Sequence, residues 1–244
     1  MNWHYMIKIL KRTTVFFLYL NLGLTSLSAQ TSTTETAIHK AYDLDKTQGN
    51  QSQLKNINQN LEKTFNQQDT NSNRYWLSYG LYNQALIADF QNDKKQAESL
   101  IDRAIALLKS LENDAEAQAL MAIQMGYSIR FKSYWAMMNL GRNASFHANR
   151  AVELNPNSIR THLAVAINDF YTPKAFGGGK RVENSLKKAL EVTPSNGSPT
   201  WGKVLVYELL VKHYRKLKQD QIAQDYLSQG LAEFPESELL LELK

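Results

Sequence analysis

The chain of 244 residues contains no cysteine. Disulfides, thiolate metal centres and a lipid anchored through a processed N-terminal cysteine are therefore excluded. Five prolines and eleven glycines are too few for a linker-like or collagen-like protein. Long hydrophobic runs are also missing. The most apolar stretch, Val15 to Leu24, is interrupted by Asn21 and Gly23, and ten helical residues rise about 15 Å, roughly half the thickness of a bilayer's hydrocarbon core. No strand-like alternation of apolar and polar residues occurs after Asn73. Four histidines follow the N-terminal segment, His39, His147, His162 and His213. None stands three or four residues from another, so no helical metal pair exists. Carboxylates are scattered singly or lie in solvated runs such as Glu236 to Glu242. No nucleophile with an activating partner can be singled out. The expectation is a protein without catalytic residues, cofactor or metal.

What is present begins with an address. Lys8, Lys11 and Arg12 precede the apolar stretch, and Thr25-Ser26-Leu27-Ser28-Ala29 supplies small residues before Gln30. That order reads as a signal peptide over 1–29, cleaved after Ala29 or Ser28, and predicts a periplasmic or secreted protein with no stable membrane anchor after cleavage. The segment holds three basic residues and no acids, so the net charge of +5 falls to +2, with 25 basic against 23 acidic residues remaining. Nucleic acid is not an expected partner on that balance. Hydrophobic residues at 43% and charged residues at 21% are globular values.

Beyond the signal, Ala37, Ile38, Ala41, Tyr42 and Leu44 stand at helical spacing, and so do Leu54, Ile57, Leu61 and Phe65. A polar, glycine-containing turn separates them, which predicts a helical hairpin over 30–72. Residues 73–244 read as helices throughout: about 75–90, 94–110, 114–140, 143–154, 158–171, 180–192, 200–217, 219–233 and a tail from Ser237. Four of these carry one pattern. Ala97, Ile101, Ala104 and Lys109 repeat as Ala144, Ala148, Ala151 and Pro156, as Val182, Leu186, Ala189 and Pro194, and as Ala223, Leu227, Gly230 and Pro235. Offsets of four and three place the small or aliphatic residues on one helical stripe, and a following proline stops the next turn. Such stripes cannot be buried alone, so successive helix pairs must stack.

Together with Ala85 and Ala166 on the preceding helices, these residues resemble the tetratricopeptide repeat family. Stripe starts lie 47, 38 and 41 residues apart, longer than the family's repeat of about 34 residues. The resemblance implies an all-α, right-handed superhelix of about four helix pairs over 73–244. Phe170 to Lys180 (FYTPKAFGGGK) interrupts the third pair, and a similar aromatic, proline and Phe-Gly-Gly connection occurs in the helical partner subunit of tripartite periplasmic solute transporters. Gly177-Gly178-Gly179-Lys180 is not a phosphate-binding loop. Lys174 and Arg181 stand where that motif needs glycine and Ser/Thr, and no strand precedes it. It reads as an inter-helix turn. Lys203, Lys212, Arg215, Lys216 and Lys218 read as a solvated face.

In this family the first helix of each pair lines a concave groove. Carried over, the groove positions are Tyr79, Tyr82, Leu86, Asp89 and Phe90 in the first unit. In the third they are Arg160, Leu163, Ile167, Phe170 and Tyr171. In the second they are Gly126, Ile129, Ser133, Ala136 and Met137. The Lys/Asn clamp that some members use on a peptide carboxylate is absent, its places held by Tyr82, Leu86, Leu163 and Ile167. An apolar groove must be covered. Three coverings are open: the chain's own N-terminal or tail helices, a small hydrophobic ligand, or a peptide or amphipathic helix of a partner protein. The leading expectation is a non-catalytic adaptor binding a protein partner through Tyr79, Tyr82, Phe90, Met137, Arg160, Leu163, Ile167, Phe170 and Tyr171. The alternative is a solute-binding accessory subunit of a periplasmic transport system.

Overall fold

The computed structural model describes residues 33–193 and 202–244, and every regular element among them is helical. The signal segment, Pro194 and Trp201 lie outside the described residues. Helix α1 spans 33–48, followed by α2 (Ser52–Gln67), α3 (Asn71–Phe90), α4 (Lys94–Leu108) and α5 (Ala115–Ser128). After a short 3₁₀ turn at Ile129–Phe131 come α6 (Tyr134–Leu154), α7 (Ile159–Tyr171), a second 3₁₀ turn at Lys174–Phe176, and α8 (Val182–Glu191). The chain ends with α9 (Gly202–Lys216), α10 (Asp220–Glu233) and α11 (Glu238–Leu241).

Local chemistry sets the helix starts. Thr70 accepts from the Asn73 amide, Asp93 from Gln96, and Asp114 from Glu116 and Ala117, each cap satisfying amides that the first turn leaves open. The α3–α4 and α9–α10 connections are equally tight, each holding one left-handed residue, Asn92 at φ 64° and Lys218 at φ 60°.

Helices α3 to α10 pair as successive antiparallel hairpins, α3 with α4, α5 with α6, α7 with α8 and α9 with α10. Helices α3, α5, α7 and α9 also contact one another in order, forming an inner layer. The pairing is built on the small-residue stripes: all twelve stripe residues, from Ala97 to Gly230, are buried. Their small side chains bring the second helix of each pair close to its neighbours, and a large core runs along the molecule, with a smaller cluster of Leu77, Leu81 and Ala104 between α3 and α4.

Two boundaries differ from the pattern reading. The run expected as 114–140 is two elements, with the break at Lys132–Ser133, and the break expected near 141–142 does not exist. Residues 115–140 carry apolar side chains on every face, so periodicity shows no interruption there. Gly141 and Asn143, which read as a boundary, sit within α6 at partly exposed and exposed positions. As a result Met137 belongs to the second helix of its unit, not the first.

Candidate functional site

Helix α1 lies along the inner layer. Its Ile38 and Ala41 are buried in the core with Tyr75, Trp76 and Tyr79 of α3, and His39 Nε2 lies 2.9 Å from the Tyr79 hydroxyl. Glu35 of the same helix is buried. Its charge acts on Arg160 of α7, which is itself buried, donates to the Tyr75 hydroxyl at 2.9 Å and pairs with Glu116 of α5. Burial alone would depress the Arg160 pKa. Tyr75, Glu116 and Glu35 outweigh it and raise the pKa, so the guanidinium stays charged. This polar knot ties α1, α3, α5 and α7 together at one end of the groove.

Beyond it α1 and the inner layer separate and enclose a cavity of about 1650 Å³. Tyr42, Asp43 and Lys46 of α1 form one side. The opposite side comes from Tyr82, Tyr127, Ile167, Leu205 and Leu209, and Phe234 to Leu239 close the C-terminal end. Lys46 pairs with Glu242 at 2.7 Å, joining the first described helix to the last residues of the chain. Burial and the neighbouring Glu238 push the Asp43 carboxyl up, with Lys46 opposing.

The wall is aromatic with fixed charges. Tyr82 packs edge-on against Tyr127 at 5.8 Å. Asp89 accepts from the Tyr127 hydroxyl at 2.6 Å and from Arg130 at 2.8 Å, and the Arg130 guanidinium lies 4.0 Å from the Tyr127 ring centroid. Burial would raise the Asp89 pKa, but those two donors hold it below the usual carboxylate range. Burial raises both phenols, Tyr82 and Tyr127. Glu208 and Lys212 pair across one helical turn. Paired charges among aromatic side chains suit an amphipathic guest. They form no nucleophile–base dyad, and among the described residues no cluster of three His, Asp or Glu could hold a metal ion.

The residues singled out from sequence separate into two groups. Tyr79, Tyr82, Met137, Ile167 and Tyr171 line the cavity. Phe90, Arg160, Leu163 and Phe170 do not. Leu163 is fully buried in the core and Arg160 belongs to the polar knot. Phe90 is exposed at the end of α3, and Phe170 receives the Lys216 ammonium over its ring at 4.6 Å. Arg160 and Leu163 are packed away because α7 is stacked between α5 and α9. Sequence reasoning missed Tyr42, Lys46, Tyr127 and Phe234 as wall residues. The amphipathic spacing of 37–44 was visible, but its destination was not.

The FYTPKAFGGGK connection is a fixed turn. Gly177 and Gly179 adopt φ 87° and 88°, and a Cβ on Gly178 would sit 2.0 Å from the Thr172 carbonyl oxygen. Asp169 fastens the turn, accepting from the Arg181 amide at 2.6 Å and, through its backbone carbonyl, from Gly179 at 3.0 Å. The turn places Phe176 and Tyr171 at the cavity mouth, both exposed. On the C-terminal helices, Lys203 pairs with Glu233 and Lys212 with Glu208, a paired polar surface.

The arrangement of stacked helix hairpins defines an all-α solenoid of the tetratricopeptide-repeat type. Among solved structures it is similar to TTC0263, a thermophilic TPR protein of Thermus thermophilus, with a TM-score of 0.58 and 15% identity over 84% of this chain and 95% of that one. MamA aligns over 80% of this chain and 95% of its own at 13% identity, but with a TM-score of 0.37, too low to compare the two folds. No protein-family model and no curated protein matches the chain. No helix among the described residues is long and apolar enough to cross a membrane.

Proposed function

We propose that this protein is a non-catalytic adaptor of the periplasm that holds a segment of a partner protein in the cavity between α1 and the inner helices. The observation that carries this reading is the size and lining of that cavity. At about 1650 Å³ it exceeds the roughly 300–1,000 Å³ of pockets that hold small ligands. Its aromatic wall and paired charges suit a peptide that presents both apolar and polar side chains. The signal segment at 1–29 and the lack of cysteine support export without a lipid anchor.

The alternative, a carrier of a small amphiphilic solute within a transport system, draws on the Lys46–Glu242 pair, which joins α1 to the C-terminal residues beside the cavity. Native mass spectrometry of the processed chain, purified gently from its own compartment, separates the two. A stoichiometric peptide or protein adduct that is lost when Tyr171 and Tyr82 are replaced supports the adaptor. A reproducible small-molecule adduct of a few hundred daltons that is lost in the same variant overturns it in favour of the carrier.

A further inference from the structure

Helix α6 has two faces of opposite fate. Ala144, Ala148 and Ala151 are fully buried. At 100° per residue they stand about half a turn round the helix from Trp135, Arg142 and Phe146. Trp135 and Phe146 are 78% and 64% exposed, and Met138, beside them, is 41% exposed. No residue of α6 before Ala144 is buried. Leu140 packs against the core on the inner side, and the opposite side carries a largely apolar row at i, i+3, i+7 and i+11 that the core does not use. Met138 and Arg142 line the cavity, whereas Trp135 and Phe146 lie outside it.

The charge beside this row that forms no ion pair is basic. Arg142 stands within it and hydrogen-bonds Asn139 at 2.7 Å rather than a carboxylate. Arg181, just before α8, pairs with Asp169 at 3.9 Å and donates to Asn149 at 2.8 Å, which brings the exposed Lys180 to the edge of the same face. The one acid of α6, Glu153, pairs with Arg150 at 3.4 Å.

We propose that the Trp135–Met138–Arg142–Phe146 row is a second docking surface, reaching from the cavity wall to the outer face of α6, for an amphipathic helix of a partner protein that carries carboxylates beside its apolar stripe. Residues three and four apart are neighbours on a helix, so a partner stripe of the same period lies along this row. Arg142 and Lys180 then meet acids on the flanks of the partner. Methionine and the flat aromatic side chains supply adaptable contact area at low entropic cost.

The test uses a fluorescently labelled synthetic helix of about 18 residues with leucines every third or fourth position and glutamates on both flanks. A twin with lysines in place of the glutamates and vesicles containing anionic lipid serve as the other probes. The glutamate helix should bind, more weakly as salt rises. The double substitution Trp135→Ala and Phe146→Ala, and separately Arg142→Glu, should each reduce affinity about tenfold or more. Because these side chains are not part of the core, the variants should melt like the parent. Equal binding of both helices, binding insensitive to these substitutions but lost in Tyr171→Ala, or binding of the vesicles alone would each overturn the proposal.

Discussion

Single residues in this molecule act through space and protonation. Each stripe alanine fills the gap between two helices. Ala151 is fully buried, so Ala151→Leu forces extra carbon atoms into a close helix contact and should cost about 1–3 kcal/mol, read as a lower midpoint in urea. An unchanged midpoint would mean that the stripe is not where the helices touch. The four histidines make a second residue-scale device. Burial lowers the pKa of His39, His147, His162 and His213 below the ordinary 6.5. An unfolded chain takes up protons near pH 6.5, while the folded one resists them until lower pH. Stability is therefore complete above that value and declines as the pH falls toward the folded pKa values. The melting temperature should drop between about pH 7.5 and about pH 5.5, and His39→Gln should remove part of the drop.

At the scale of elements, α1 and α2 are joined by more than their turn. The α2 N-terminus receives no cap from its own N-cap residue, Gln51. Asp45, fully buried near the end of α1, accepts instead from the Gln53 amide at 3.0 Å and the Leu54 amide at 2.8 Å. Asp45→Ala leaves both amides unsatisfied and should cost about 1–2 kcal/mol, with Asp45→Asn losing only part of that. Thermal melts of the two variants check this. The α2–α3 crossing is also tight, since a Cβ on Gly80 would stand 2.1 Å from Asn58 Oδ1. These contacts tie α1 to α2 and α2 to α3, the helix that carries Tyr79 and Tyr82 of the cavity wall.

At the scale of the whole molecule, the concave side is shared between self-filling and space. Near the Arg160 knot α1 occupies the groove, and further along a chamber remains, with Tyr171 at its mouth and Phe90 outside it. The two exposed aromatics thus separate by position. If a partner segment enters the chamber, Tyr171→Ala should weaken its binding about tenfold and Phe90→Ala should leave it unchanged, both without loss of helicity by circular dichroism. Equal effects would place the partner on another surface.

The repeat stripes, the all-helical class and most helix bounds could be read from the sequence alone, because helical periodicity and small-residue spacing are local properties of neighbouring positions. Gly177 and Gly179 likewise announced their turn, since positive φ favours glycine. The break after Phe131 could not be read, because α5 is apolar on all sides and its boundary is set by where α6 has to cross it. Nor could the sequence say which groove residues face open space. Leu163 has the same spacing signal as Ile167, and only the docking of α1 and the stacking of the inner helices separate core from wall. That choice depends on contacts between residues far apart in the chain, such as Lys46 with Glu242, and no local pattern carries them.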